Sequence, residues 1–376
     1  MRSQEYYPDC EAPHFSVKFF GNSSFALTRN LPVMFQSEIE NLRSEILVMH
    51  TGGWIGDMIL LTPALRALRK ELPEAHISML VRPLVRDLME RNPYLHEVIV
   101  YDKRGEHRGI RQMRKFADRL RAKQFDTAII LHPNSIRSAL LSYMAGIPER
   151  VGANVRGREL LLTTKVKHRA NIHEVQRYLD VVSPVVGADQ DGKLEFWGIG
   201  GDDEAFAERI LADHAGPVMG INPCTTWLSK QWPAERFAHL ADLLAQRFSA
   251  RVLITGGPDD FHIADRITKL ASSEPVNLIG STTIWQLGAL IKRCRLYITC
   301  DSGPMHISAA VGTPTIALFG PTDPVRHGPY GAGHTVVQKE FRCSPCYQRE
   351  CKSRDCMNAI QVEDIIEVVS PAVLLG

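Results

Sequence analysis

No run of about eighteen apolar residues occurs in the 376-residue chain, so no helix is expected to span a bilayer. The first thirty residues hold Asp9, Glu11 and scattered polar groups around no apolar centre. That excludes a secretory signal and makes the cytoplasm the expected compartment. Neither a Gly-x-Gly-x-x-Gly fingerprint nor a Gly-Lys-Ser/Thr loop ending is present, which argues against a dehydrogenase and a Walker-type nucleotidase. Compositional bias is also missing. With 44% hydrophobic and 23% charged residues, the chain is neither disordered, collagen-like nor mucin-like. Its length suits two, at most three, domains.

Net charge is only +2, but the two halves differ: residues 1–190 carry +6 and residues 191–376 carry −4. The surplus gathers in Lys103–Lys123, with nine basic and two acidic residues. Such a segment is either a solvated helix face or a surface for phosphate-bearing lipid or nucleic acid.

From residue 46 onward, strand-like and helix-like patterns alternate. Ile46-Leu47-Val48-Met49 has the form of a buried parallel strand. A glycine-bearing turn over 52–56 follows, and then Met58, Leu61, Leu65 and Leu68 recur at helical spacing. Strands are expected at 77–81, 98–101 and 127–131, with helices at 84–91, 108–123 and 135–145. Residues 150–200 are less regular, with a helix over 173–186 and a Gly- and Asp-rich junction over 187–203. The pattern then restarts with strands at 218–221, 251–255, around 278, 296–299 and 315–319. Helices fall at 234–248, 261–272, 283–293, 303–312 and about 362–370. This is an α/β chain of two doubly wound halves facing across a cleft. The expected division is an irregular extension (1–42), a first domain (43–190), a second domain (191–360) and a C-terminal helix (361–376).

Ligands of such sheets bind beyond the carboxyl ends of the strands, and five loops there carry chemistry. In Thr51-Gly52-Gly53-Trp54-Ile55-Gly56-Asp57 the glycines allow close approach, and Asp57 stands at a helix start as either a cap or a functional carboxylate. Asn222–Pro233 holds Thr225, Thr226 and Lys230, two hydroxyls and a cation suited to phosphate. Cys300–His306 runs from a strand into a helix; Asp301 could accept sugar hydroxyls, and the helix start favours an anion. Gly256–Asp260 offers Asp259 and Asp260 to ribose hydroxyls. Phe319–Pro324 is a rigid turn.

Taken together, Gly56-Asp57-x5-Pro63-x-Leu65-x2-Leu68, Lys230-x-Trp232-Pro233, Asp301-Ser302-Gly303-x2-His306-x2-Ala309-Ala310 and Phe319-Gly320-Pro321-Thr322 resemble the heptosyltransferases, glycosyltransferase family 9, over about residues 44–370. The resemblance implies a GT-B fold of two Rossmann-like domains. It implies inverting, metal-independent transfer of a sugar, heptose above all, from a nucleotide diphosphate donor such as ADP-heptose to an inner-core lipopolysaccharide acceptor. By that resemblance Asp57 matches the general base, and Thr225, Thr226 and Lys230 the diphosphate loop. Asp301 matches the residue holding donor sugar hydroxyls, and Ser302, Gly303, Met305 and His306 the helix end near the phosphates. Asp259 or Asp260 is a looser match to a ribose contact. Gly53, Gly56, Arg111 and Arg114 fall on the acceptor side. No cofactor is required for transfer, and no nucleic-acid partner is implied. The expected state is a cytoplasmic monomer, peripheral at the inner membrane.

Four of the eight cysteines are bunched as Cys343-x2-Cys346-x4-Cys351-x4-Cys356. Four thiols in fourteen residues suit structural zinc, an iron–sulfur cluster, disulfides or free thiols, and the spacing leaves these open. Other readings of the whole chain are a transferase using another nucleotide sugar, a nucleotide-sugar epimerase, a non-catalytic sugar-nucleotide or lipopolysaccharide-binding protein, and a metal-cluster regulator.

Overall fold

The computed structural model describes residues 15–19 and 44–374, except Arg156. The rest of the 1–42 extension lies outside the described residues. In chain order the elements begin with β1 (Phe15–Phe19), β2 (Glu45–His50), α1 (Ile55–Leu60), α2 (Thr62–Glu71), β3 (His76–Val81), α3 (Arg86–Glu90) and β4 (Glu97–Val100). Then come α4 (Ile110–Arg121), β5 (Thr127–Ile130), α5 (Ile136–Met144), β6 (Glu149–Asn154), β7 (Thr164–Lys167) and α6 (Glu174–Val186). The second half holds α7 (Gly201–Leu211), β8 (Val218–Asn222), α8 (Ala234–Phe248), β9 (Arg251–Ile254), α9 (Phe261–Leu270), β10 (Val276–Asn277) and α10 (Ile284–Lys292). It ends with β11 (Leu296–Cys300), α11 (Gly303–Ala310), β12 (Thr315–Phe319), α12 (Pro324–His327), β13 (His334–Lys339), α13 (Asp355–Asn358) and α14 (Val362–Leu374).

Two sheets result. The first is parallel throughout, in the order β4-β3-β2-β5-β6-β7; the second runs β10-β9-β8-β11-β12-β13, with β1 added antiparallel to β13. Counted within each half, both orders are the 3-2-1-4-5-6 of a Rossmann fold. The strands are buried on both faces, which explains continuous apolar runs such as Ile46–Met49 and Leu296–Ile298. Apolar cores lie on both sides of each sheet: α1, α2 and α6 against α4 and α5 in the first, α8, α9 and α14 against α7 and α10 in the second.

Three departures from the sequence expectation have physical causes. Phe15-Ser-Val-Lys-Phe19 lies in the extension read as irregular, yet it forms a strand. Its apolar–polar alternation is too short to stand out, and its partner β13 lies more than three hundred residues downstream. Strands β6 and β7 were not expected because β6 has only Val151 and Ala153 as apolar side chains among polar ones, and β7 is a four-residue polar strand at the first sheet's edge. Residues 191–197 follow the first domain's expected end but still pack on it: Leu194 and Trp197 enter its core, and Trp197 Nε1 donates to the Leu88 carbonyl at 3.1 Å.

The halves meet through α1 and α11. A β-carbon on Gly56 would stand 2.6 Å from the His306 ring, so only glycine allows this approach. Farther out, the Arg91 guanidinium lies 3.6 Å above the Trp285 ring. Leu287, Ile291 and Ile307 of the second half join the first half's core, making the contact apolar. Two Rossmann-like domains opposed in this way form a GT-B fold.

Candidate active site

In an open α/β sheet the binding crevice opens where strand order reverses. In the first sheet that point is between β2 and β5, and in the second between β8 and β11. The Gly52–Asp57 loop follows β2, the loop holding Thr225, Thr226 and Lys230 follows β8, and Asp301 follows β11. Packing of α1 on α11 turns the two switch points toward each other.

Asp57 is the third residue of α1, and its two carboxylate oxygens meet different partners. One carboxylate oxygen, Oδ2, accepts the Trp54 N–H at 2.6 Å and closes the helix start. The other, Oδ1, faces the Tyr178 hydroxyl at 3.4 Å. Burial raises its pKa above the usual carboxylate value, against the Trp54 N–H, the nearby His132, the Tyr178 hydroxyl and Arg326. A carboxylate so held is a ready proton acceptor.

Across the junction, Lys230 Nζ lies 2.6 Å from Asp301 Oδ2, and the Thr322 hydroxyl donates to the same oxygen at 2.6 Å. Burial pushes Asp301 up, but the Lys230 charge and these two hydrogen bonds outweigh it and hold the carboxyl below its usual value. Lys230 also sits 4.4 Å above the Trp227 ring. Thr225 is partly buried, its hydroxyl accepting the Trp227 N–H at 3.4 Å, and Thr226 is exposed beside it. Ser302 precedes α11 and lies 3.3 Å from the Thr299 hydroxyl. Gly303 starts that helix and packs on Ile55.

Met305 is placed otherwise. Its side chain is fully buried with Ala317, Phe319 and Val336, and its N–H donates to the Ser302 carbonyl, so it has no group turned to a ligand. Asp259 is exposed; Asp260 accepts the Gly257 N–H at 3.0 Å and faces Cys224. Gly53 is pressed between Met58 and His50. Arg111 and Arg114 are exposed on α4, which buries Met113, Phe116, Ala117 and Leu120 instead.

The cysteine cluster is not assembled as a metal centre. Cys343 and Cys351 are exposed, Cys346 is half-buried and Cys356 is buried, all as free thiols. Cys356 packs beneath Gly320 while Cys351 accepts the Arg354 N–H in its own loop. Among the described residues no group of three or more His, Cys, Asp or Glu side chains is placed to hold a metal ion. The zinc and iron–sulfur expectation is therefore unsupported.

Several site residues went unread in the sequence. His132 follows β5 at the first switch point, so the strand-end rule could have found it. Tyr178 on α6 and Arg326 on α12 carry no local signal, because each reaches Asp57 across a long sequence separation. His306 is buried and His327 half-buried near Asp301, and desolvation holds both at about 3. Three histidines that are nearly fully buried stay neutral: His50 at about 4, His306 at about 3 and His334 at about 4. The unfolded chain protonates them near 6.5 and the folded chain does not. Their contribution is complete above 6.5 and is lost as pH falls toward 4, at about 1.4 kcal/mol per pH unit for each. The urea midpoint is expected to fall steeply from pH 7 to pH 5; an unchanged midpoint would contradict neutral burial.

Comparison with known proteins agrees with the geometry. Two opposed Rossmann-like domains are the architecture of glycosyltransferases of GT-B type. The profile of glycosyltransferase family 9 (heptosyltransferase) matches residues 113–357, and the chain belongs to that family. It is 30% identical over 285 residues to lipopolysaccharide heptosyltransferase 2 of Escherichia coli, covering 72% of this chain and 81% of that one. It is 27% identical to the lipopolysaccharide core heptosyltransferase OpsX of Haemophilus influenzae, covering 83% and 92%. A glycosyl transferase family 9 structure from Veillonella parvula superposes with a TM-score of 0.77 at 29% identity, covering 90% of this chain and 99% of that one. The E. coli ADP-heptose lps heptosyltransferase II gives 0.70 at 26%, covering 88% and 98%.

Proposed function

We propose that this chain transfers heptose from ADP-heptose to an inner-core lipopolysaccharide acceptor, with inversion and without a metal ion. The observation that carries the reading is the facing of Asp57 and the Lys230–Asp301 pair at the two switch points. The donor and acceptor are those in the names of the relatives just described. On this reading the first domain (43–190) receives the acceptor and the second (191–360) the donor.

Asp57 Oδ1 takes the proton of the acceptor hydroxyl as its oxygen bonds the anomeric carbon from the face opposite the diphosphate. The bond from that carbon to the phosphate oxygen breaks, and its electron pair leaves with ADP. Lys230, the hydroxyls of Thr225 and Thr226 and the start of α11 at Ser302–Gly303 stand where the departing charge gathers. Asp301 and His306 border the donor sugar, and Asp259 or Asp260 the ribose. The test is ADP release from ADP-heptose with heptose-deficient lipopolysaccharide; no release, or release only with another nucleotide sugar, would overturn the assignment.

The enzyme works as a monomer at the cytoplasmic face of the inner membrane. No helix of the described residues is long and apolar enough to cross a membrane. Contact with the surface falls to α4. Arg119, Arg121 and Lys123 have acidic partners in Glu106, Asp118 and Glu97, whereas Arg111, Arg114 and Lys115 have none among the described residues. Cations in a helix's first turns oppose its dipole, so they serve something other than helix stability. Reversing Arg111 and Arg114 to Glu is expected to leave the melting temperature unchanged or higher. Sedimentation with anionic vesicles should weaken by at least tenfold at low salt; equal binding would remove α4 from the interface.

A further inference from the structure

Asp57 has one oxygen committed and one to work with. Oδ2 is tied to the Trp54 N–H, which leaves Oδ1 to receive the acceptor proton. The group turned to Oδ1 is the hydroxyl of Tyr178 from α6, 3.4 Å away. Tyr178 is almost fully buried, and its hydroxyl meets a second group, His50 Nε2 at the end of β2, at 3.1 Å. One hydroxyl hydrogen thus stands between an ionised carboxylate and a neutral imidazole. The carboxylate only accepts, and a charge-assisted hydrogen bond is about twice as strong as a neutral one. The hydrogen therefore goes to Asp57, and His50 turns its Nε2–H to the phenol oxygen.

We propose that Tyr178 is a positioning residue for the Asp57 carboxylate, with His50 orienting the phenol. The inference rests on Asp57 being the base.

The helix that brings Tyr178 is itself held by the opposite domain. Arg326 of α12 pairs with the buried Glu174, which also binds Arg177 at 3.0 Å. His173 Nε2 meets the Gly328 carbonyl at 2.9 Å, and Gln176 donates to the Tyr330 hydroxyl at 2.6 Å. Three contacts on the first turn of α6 thus fix the register at which Tyr178, one turn on, meets Asp57. The other groups bearing on Asp57 are His132 at the end of β5 and Arg326, while burial keeps His50 and His132 neutral with a smaller contribution from Lys103 after β4.

Tyr178→Phe removes the hydroxyl and keeps the ring in the core. A carboxylate that loses a donor to its charged form takes up its proton more readily. The acid limb of kcat/KM for the lipopolysaccharide acceptor, followed as ADP release, should therefore move up by about one pH unit. Its plateau should fall severalfold while the Kd for ADP, by calorimetry, stays at the wild-type value. A purely structural role would not move the limb. His50→Leu should move it the same way by less, and it carries the test alone if Tyr178→Phe does not fold. An unmoved limb in Tyr178→Phe overturns the proposal. So does a downward shift in His50→Leu, which would mean that Tyr178 donates to the imidazole. Asp57→Asn separates the two readings: turnover surviving there removes Asp57 as base, whereas an inactive Asp57→Asn with an unmoved Tyr178→Phe limb removes the role of Tyr178 alone.

Discussion

Asp57→Ala is expected to lower the rate of ADP release about 10²–10⁴-fold, the range that a positioned general base contributes. The groups proposed to hold the donor, Lys230, Asp301 and Thr322, lie on the other wall, so ADP affinity should stay within a factor of two. Full turnover in the variant would dispose of the mechanism. The same carboxylate has an opposite effect on stability. Burial raises the folded pKa of Asp57 above the unfolded value of 3.8, so the folded state holds the proton more tightly. Stability is then highest below that window and falls as pH rises through it. Asp57→Asn keeps an acceptor for the Trp54 N–H and removes the buried charge. It should melt higher than the wild type at pH 8, with the gap closing as pH is lowered, even though it is inactive.

Lys230→Met should cost about 2.7–4 kcal/mol of barrier, the loss that follows removal of one group from a developing oxyanion. That corresponds to about 10²–10³ in kcat. It should also destabilise the fold, because Asp301 would stay buried with its cation gone. Removing one partner of a buried pair typically costs about 3–5 kcal/mol. At present Asp301 titrates below its usual value; its stabilising share is complete above the unfolded value of 3.8 and is lost as pH falls through the folded one. Without Lys230 the Thr322 hydrogen bond and the weaker influence of His327 are left to oppose burial, so the carboxyl should rise. Adding Asp301→Asn to Lys230→Met should restore most of the melting temperature and none of the activity. If the double variant melts no higher than Lys230→Met, the pair is not the source of the loss.

How much of this could be read in advance depended on range. Ile46–Met49 and Thr315–Phe319 read as buried strands because both faces are covered, and a run of four or five apolar residues says so locally. The Gly52–Gly56 turn read equally well, since its glycines answer contacts that no side chain could tolerate: His132 over Gly52, His306 over Gly56. Lys230 and Asp301 each stood out within their loops, but nothing local said that they pair with each other. Tyr178, His132 and Arg326 gather around Asp57 from three other elements, and no periodicity encodes such a meeting. The cysteine spacing left its outcome open for the converse reason. Closeness in sequence does not settle direction, and Cys356 turns under β12 while Cys351 stays in its loop.

The strand β1 makes the two domains unequal in the order of their assembly. It precedes the whole first sheet, yet its hydrogen-bonding partner β13 comes last in the second sheet. At about 5–20 residues per second, a ribosome that has made β1 takes on the order of tens of seconds to deliver β13. The first domain has all six of its strands by Lys167 and can fold during that interval. The second sheet closes only after synthesis has reached its far edge. The backbone hydrogen bonds between β1 and β13 join segments from opposite ends of the chain, so the second domain is completed by residues made before the first domain was begun.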